Sequence, residues 1–130
     1  MRFNLIDQVV EKSAERIVAV KNVSRAEEYL DDHFPSFPVL PGVMMLETLV
    51  QAGRHLLVDI AGKGAPLVVT DVRNVKYGNM VRPGQSLTVE VTLRGAAKDG
   101  VGWDLQGVGK VDDNVAVQGR FRLEPLVIEQ

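Results

Sequence analysis

A carboxylate lies near the start of a largely apolar stretch that is predicted to be a helix. Glu47 lies in VMMLETLVQAGRHLLVDIA (residues 43–61), a segment without proline whose apolar residues cover nearly all sides of a helical cylinder. Glu47, Gln51 and Arg54 break the pattern, and at about 100° per residue they form one narrow polar line. A buried carboxylate is costly unless it is paired, protonated or facing a cavity. Glu47 is therefore the first candidate for acid–base chemistry.

The second candidate is His33, one of only two histidines in the chain. It opens the apolar loop HFPSFPVLPG (residues 33–42), whose three prolines exclude a helix and keep the loop stiff. Such a loop brings an imidazole to the start of the helix that carries Glu47. Burial keeps the acid protonated while the histidine stays neutral. One group can then give a proton and the other can take one, as an acid–base pair requires. The helix start at Gly42 and Val43 adds free N–H groups that suit a carbonyl oxygen.

Each candidate also has a plain structural interpretation. Taken alone, Glu47 is explained by an ion pair with Arg54 or by a hydrogen bond from Gln51. His33 taken alone is explained as an ordinary loop histidine. A metal site made of His33, Glu47 and His55 has only three ligands in poor spacing, since His55 lies more than two helical turns from Glu47. We therefore expect no metal and no cofactor.

The composition excludes several other classes of protein. The chain has no cysteine, which removes disulfides, zinc ribbons, iron–sulfur clusters and a thiol nucleophile. Its net charge of −2 at pH 7 does not fit a nucleic-acid-binding protein. No apolar run is long enough to cross a membrane, and charged residues near position 10 disfavour an export signal. We expect a cytoplasmic protein that binds neither nucleic acid nor a membrane.

The elements that must position the two candidates follow from periodicity and turn residues. The helix is predicted from Gly42 to about Ala61, with the glycines after it as its stop signal. A capping box at Ser24 predicts a short helix over 25–30. Strands are predicted over Arg16–Val23 and then, as a consecutive antiparallel meander, over Pro66–Tyr77, Ser86–Arg94, Val101–Val111 and Val115–Leu123.

These counts predict an α+β protein with a long buried central helix wrapped by a curved antiparallel sheet of about five to six strands. This arrangement is known as a hot dog. With 130 residues, the chain is predicted to form a single domain over residues 1–130. An open sheet leaves two edge strands, for which an edge-to-edge dimer is the usual remedy.

The stretch from His33 to Gly53 closely resembles the signature of the β-hydroxyacyl-acyl-carrier-protein dehydratases, roughly H-F-P-G-x-P-x-x-P-G-V-x-x-x-E-x-x-A-Q. The segments LIDQVVEKSAERIVAVKNVS (residues 5–24) and VRPGQSLTVEVTL (residues 81–93) resemble the family as well, so the resemblance covers nearly the whole chain. Nine positions of the signature match in register: His33, Phe34, Pro35, Pro38, Pro41, Gly42, Val43, Glu47 and Gln51.

The resemblance implies removal of water from a (3R)-3-hydroxyacyl thioester to give the trans-2-enoyl thioester in fatty acid biosynthesis. In the family, the residue at His33 is the base that takes the α-proton, and that at Glu47 is the acid that protonates the departing hydroxyl. The N–H groups at Gly42 and Val43 polarise the thioester carbonyl, and Gln51 supports the acid. The resemblance also implies an apolar tunnel for the acyl chain. Its candidate lining residues are Phe34, Phe37, Met44, Met45 and Leu46. For each of them, plain core packing is the alternative.

The resemblance also implies partners. The substrate is carried by acyl carrier protein or by coenzyme A, and each site combines residues of two subunits. We therefore expect a homodimer, with a trimer of dimers as a further assembly. Family members often carry a basic K-F-R-R-P-V stretch where this chain has KYGNMV at residues 76–81. Because carrier proteins are acidic, the loss of two arginines argues against the standard docking of a carrier at this place.

Other departures keep two alternatives open. Asp32 and Ser36 replace glycines of the family pattern, and Val50 and Arg54 replace small residues that the family has before and after the glutamine. The first alternative is a hot-dog thioesterase, which uses an acid on the central helix to activate water. The second is a non-catalytic acyl-binding or dimerisation module. The His33 motif favours the dehydratase over the thioesterase.

Overall fold

The computed structural model describes residues 4–24, 39–62, 66–97 and 100–126, and one helix and six strands lie among them. The six strands form one antiparallel sheet in the order β1-β2-β4-β5-β6-β3. The predicted short helix over 25–30 and the predicted loop up to residue 38 lie outside the described residues. In chain order the elements are β1 (Gln8–Lys12), β2 (Arg16–Asn22), α1 (Gly42–Ala61), β3 (Leu67–Tyr77), β4 (Ser86–Ala96), β5 (Trp103–Val111) and β6 (Asn114–Pro125).

The two ends of α1 confirm the bounds predicted for the helix. Pro41 is extended, with φ −60° and ψ 144°, and its carbonyl accepts the N–H of Met44 at 2.9 Å and that of Met45 at 3.1 Å. Gly62 adopts φ 98° and donates its N–H to the carbonyl of Val58 at 3.0 Å. A positive φ causes little strain only in glycine. The glycine that predicts the end of the helix from the sequence therefore also ends it in the structure.

One side of α1 packs directly on the sheet. Leu49, on that side, is fully buried, and a Cβ added to Gly107 of β5 would lie 3.1 Å from its Cδ2 atom. A Cβ on Gly53 of the helix would likewise lie 3.0 Å from Cε2 of Phe121 on β6. Glycines at these two contacts let the helix and sheet approach closely and fill the space between them at the density of a protein core.

The opposite side of α1 is not buried, which corrects the prediction of a helix covered all round. Val43 is 68% exposed, and the side chain of Glu47 is 41% exposed. The physical reason is that a single sheet covers only one side of a helix. An apolar pattern on all sides shows that the helix needs further cover, but not that the same chain provides it.

The predicted four-strand meander is wrong for β3, which pairs with β6 and not with β4. A hairpin needs a short connection, as between β5 and β6, where Asp112 and Asp113 both adopt positive φ. The long connection 78–85 instead spans the sheet from β6 to β2. At one end, the N–H of Gly78 donates to the backbone carbonyl of Ala116 in β6. At the other end, the N–H of Gly84 donates to the backbone carbonyl of Val23, which follows β2. Only β4, β5 and β6 form the meander.

The edge strands of the sheet are β1 and β3. All five residues of β1 are exposed, so it lacks the apolar alternation by which a strand is predicted from sequence. β3 is irregular, with register shifts between Val69 and Asp71 and between Arg73 and Lys76. Each edge strand has a strand partner on one side only within the described sheet. No helix in the described ranges combines the length and the hydropathy needed to cross a membrane.

Candidate active site

Glu47 lies on the second turn of α1, on the side away from the sheet. Its Oε1 atom accepts a hydrogen bond from Nη1 of Arg54 at 3.3 Å and a long one from Nε2 of Gln51 at 3.5 Å. The polar line that the sequence predicts therefore forms, with both partners of the plain interpretation in place. The expectation of an enclosed carboxylate is wrong for the single chain, because 41% of this side chain is open to solvent.

Gln51 links the acid to the N-terminal segment of the chain. Its Oε1 atom accepts the backbone N–H of Leu5 at 2.8 Å, while its Nε2 atom faces Glu47. A backbone N–H only donates, which fixes the orientation of the amide and turns its NH2 group toward the carboxylate. Leu5 is 1% exposed, so the segment that holds Gln51 is itself anchored in the core.

Arg54 joins the acid to the edge strand. In addition to its contact with Glu47, its Nε atom donates to the backbone carbonyl of Leu67, the first residue of β3, at 3.1 Å. Two groups of the planar guanidinium are thus held by two different elements, which restricts its orientation. The Arg54 side chain remains 38% exposed, so its attraction to the acid is screened by water.

The start of α1 is covered by an aromatic ring that the sequence analysis did not identify. A Cβ added to Gly42 would lie 3.0 Å from Cε1, 3.2 Å from Cζ and 3.3 Å from Cδ1 of Tyr77. Tyr77 ends β3 and remains 52% exposed. Gly42 was the feature of the sequence that could have indicated this contact, because a glycine at the start of a helix allows another side chain to approach its backbone. The first N–H groups of the helix, at Gly42 and Val43, have no partner within the helix.

The remaining predicted residues fall into three groups. Met45 is 5% exposed and belongs to the core, while Met44 and Leu46 are partly buried against it. His55 is exposed, and the described ranges contain no group of three or more metal-ligating side chains. Of the predicted site residues, the structure shows Glu47 and Gln51 in hydrogen-bond contact on α1, with Arg54 as a second donor to the acid and Gly42 at the start of the same helix. Three predicted site residues lie outside the described residues: His33, Phe34 and Phe37.

Known proteins resemble this chain over most of its length. The family model of the FabA-like domain matches residues 1–120. The 3-hydroxyacyl-[acyl-carrier-protein] dehydratase FabZ of Thermotoga petrophila is 37% identical over 121 residues, which cover 93% of this chain and 85% of that protein. The enzyme of the same name from Oenococcus oeni is 45% identical over 102 residues, covering 75% of this chain and 71% of that protein.

Solved structures share the fold at low sequence identity. The dehydratase heterocomplex ApeI:P from Xenorhabdus doucetiae superimposes with a TM-score of 0.74 at 20% identity, covering 95% of this chain and 84% of that one. A hypothetical thioesterase from Streptococcus pneumoniae, solved with coenzyme A, has a TM-score of 0.70 at 9% identity and full coverage of both chains. These likenesses confirm the predicted hot-dog fold. They do not distinguish dehydration from hydrolysis, because one fold serves both groups of proteins.

Proposed function

The chain belongs to the FabA-like family and is an enzyme of its dehydratase class, and we propose that it converts (3R)-3-hydroxyacyl thioesters to trans-2-enoyl thioesters in fatty acid biosynthesis. The observation that carries the proposal is the place of Glu47. In a chain of this family, it is a carboxylate on the open side of the central helix, held by Gln51 and Arg54.

In the proposed reaction, His33 takes the α-proton and the electron pair forms the new double bond as the C3–O bond breaks. Glu47 in its protonated form gives its proton to the departing hydroxyl, which leaves as water. Both hydrogen bonds to the acid end on its Oε1 atom. We assign proton transfer to Oε2, which those two donors leave for the substrate. The sequence spacing, fourteen positions from His33 to Glu47, supports the pairing of base and acid.

The thioester carbonyl is proposed to bind the N–H groups of Gly42 and Val43. These groups lie at the positive end of the helix dipole, so they stabilise negative charge that develops on the oxygen as the α-proton leaves. The absence of a side chain at Gly42 keeps the approach close, and the ring of Tyr77 occupies part of that space. The acyl chain is proposed to run along Phe34, Phe37, Met44 and Leu46, while Met45 packs in the core.

The active unit is proposed to be a homodimer in which two subunits share each site. The exposed apolar side of α1 at Val43 and the one-sided pairing of β3 both support a second copy as cover. Light scattering should give a mass of at least twice 14.3 kDa, with six times that mass for a trimer of dimers. A strict monomer that is fully active would contradict the shared site.

The reaction is tested by offering 3-hydroxyacyl thioesters on carrier protein and on coenzyme A while following enoyl absorbance and free thiol. His33→Ala and Glu47→Gln should each lower kcat by about 10²- to 10⁴-fold, the usual contribution of a general acid or base. Asp59→Asn is the matched control, because Asp59 is a carboxylate of the same helix whose side chain is 82% exposed. Its kcat should stay at the level of the unmodified protein.

The same assay separates the alternative functions. Release of thiol without enoyl product would replace the proposal with a thioesterase, and the absence of both products would indicate an acyl-binding or dimerisation module. Enoyl formation that survives both His33→Ala and Glu47→Gln would contradict the assignment of base and acid while keeping the dehydratase.

A further inference from the structure

Arg54 places a permanent positive charge beside the proposed acid. Its Nη1 atom lies 3.3 Å from Oε1 of Glu47, and its side chain is 38% exposed. A guanidinium stays charged at physiological pH. Within the described ranges, Glu47 is the one acidic side chain at ion-pair distance from Arg54. In this part of the chain, the charge of Arg54 is therefore balanced while Glu47 is ionised.

The proposed reaction requires the other charge state of the acid. An ion pair needs an ionised carboxylate, but Glu47 must hold a proton to give it to the departing hydroxyl. When Glu47 carries this proton, Arg54 loses its counter-charge. The second copy is proposed to cover this side of α1, and an unpaired charge destabilises a site more strongly as water is removed. A negative charge on the substrate restores the balance in the state that reacts.

The guanidinium of Arg54 keeps hydrogen-bond donors for such a charge. An arginine side chain has five N–H groups in one plane. Nε donates to the backbone carbonyl of Leu67 at 3.1 Å, and Nη1 donates to Glu47. Among the described residues, Arg54 has no further acceptor, so the two N–H groups of Nη2 remain for a ligand. A carboxylate is the acceptor whose charge and geometry match these donors best.

We propose that Arg54 selects 3-hydroxyacyl thioesters whose acyl group carries a carboxylate beyond C3. This inference rests on the proposed function and adds the class of substrate. Arg54 binds one oxygen of Glu47, and the substrate hydroxyl is proposed to bind the other. C3 of the substrate and the guanidinium therefore flank the same carboxylate. At about 1.5 Å per bond, a chain that continues roughly two to three carbons past C3 brings its own carboxylate within reach of Nη2.

The fold itself gains little from an arginine at this position. The family pattern has a small residue in place of Arg54. The ion pair joins side chains that are 38% and 41% exposed, and pairs of this kind stabilise a protein weakly. A charge beside the path of the acyl chain also disfavours a purely apolar chain. A local choice that serves neither stability nor an apolar substrate is expected where a residue recognises a ligand.

The test compares the 3-hydroxyadipyl and 3-hydroxyhexanoyl thioesters of pantetheine. The two chains have equal length, but the first ends in a carboxylate and the second in a methyl group, and pantetheine removes any contribution of a carrier. The unmodified protein should have a kcat/KM about ten- to a hundredfold higher for the adipyl substrate, the usual effect of a hydrogen bond between charged groups. The terminal amide of the adipyl substrate, which keeps the shape without the charge, should lose most of this advantage. Equal kcat/KM for all three substrates would overturn the proposal.

Arg54→Gln should abolish the preference by lowering kcat/KM for the adipyl substrate about ten- to a hundredfold more than for the hexanoyl substrate. Arg54→Lys keeps the charge and should keep part of the preference. Arg16→Gln is the matched control, because Arg16 is 39% exposed and pairs with Glu90 at 3.0 Å, on β2 outside the polar line. It should leave the preference unchanged. An equal loss for both substrates in Arg54→Gln would overturn the proposal, since Arg54 would then act on the acid alone.

Binding is measured separately from turnover, so that this inference and the proposed function can fail independently. Glu47→Gln leaves an uncharged side chain beside Arg54, as in the protonated acid. In calorimetric titration, this variant should bind the adipyl thioester at least about tenfold more tightly than the hexanoyl thioester, and adding Arg54→Gln should remove the difference. That result would support carboxylate recognition even if the unmodified protein formed no enoyl product. Equal affinities for the two thioesters in Glu47→Gln would overturn it even with full dehydratase activity.

Discussion

On one side of α1, Leu49, Leu56 and Leu57 are at most 2% exposed and pack against the sheet. On the other side, the side chains of Glu47 and Arg54 remain 41% and 38% exposed and are held by hydrogen bonds. The first side contributes apolar burial, the largest favourable term in folding. The second contributes oriented polar groups that stabilise little by themselves. Substitutions on the two sides should therefore affect different properties, stability on one and activity on the other.

The largest effect on stability is expected on the packed side. Leu49→Ala removes a fully buried side chain beside Gly107 and should lower the free energy of unfolding by about 2–5 kcal/mol. The kcat of the folded fraction should not change. Urea denaturation measures the loss. Val43→Ala is the control, because Val43 is 68% exposed in the single chain and has no cover from the sheet, so its truncation should lower the free energy of unfolding less than Leu49→Ala does. A greater loss in the control than in Leu49→Ala would reverse the comparison.

An intermediate effect is expected at Gln51, which belongs to the open side but is tied to the core through Leu5. Gln51→Leu leaves the buried N–H of Leu5 without its acceptor and should lower the free energy of unfolding by about 1–3 kcal/mol. It also removes one of the two donors to Glu47, so kcat should fall. Gln106→Leu, at an exposed position of β5, serves as the control in the same denaturation and activity assays. Equal free energies of unfolding for both variants would mean that the hydrogen bond from Leu5 to Gln51 does not stabilise the fold.

The smallest effect on stability is expected at Arg54. Arg54→Gln removes an exposed ion pair with Glu47 and should lower the free energy of unfolding by about 0.2–1 kcal/mol at low salt. High salt screens such a pair, so the difference from the unmodified protein should shrink when denaturation is repeated there. A loss that is large and independent of salt would instead assign Arg54 to the packed structure, through its bond to Leu67.

The ends of α1 show what a sequence specifies by itself. Pro41 and Gly62 act through their own backbone preferences, so the helix bounds were predictable from local residue types. The polar line of Glu47, Gln51 and Arg54 was predictable for a similar reason, since helical geometry alone places these residues together.

Contacts between elements that are distant in sequence were not predictable in this way. Strand periodicity says which residues face the core but not which strand is the neighbour, so the pairing of β3 with β6 was missed. The exposure of Glu47 depends on how much of α1 the sheet covers, which the apolar pattern of the helix does not encode. The contact of Tyr77 with Gly42 depends on where β3 ends relative to the helix. His33 stays a prediction.

The pairing of β3 with β6 has a consequence for the order in which the chain folds during synthesis. β3 leaves the ribosome before β4 and β5, yet its partner is the last strand to appear. Until then, the eleven residues of β3 lack the hydrogen-bonding neighbour they have in the finished sheet. A nascent chain interrupted before residue 114 therefore exposes β3 to non-native pairing. β6 must be synthesised before the sheet can be completed.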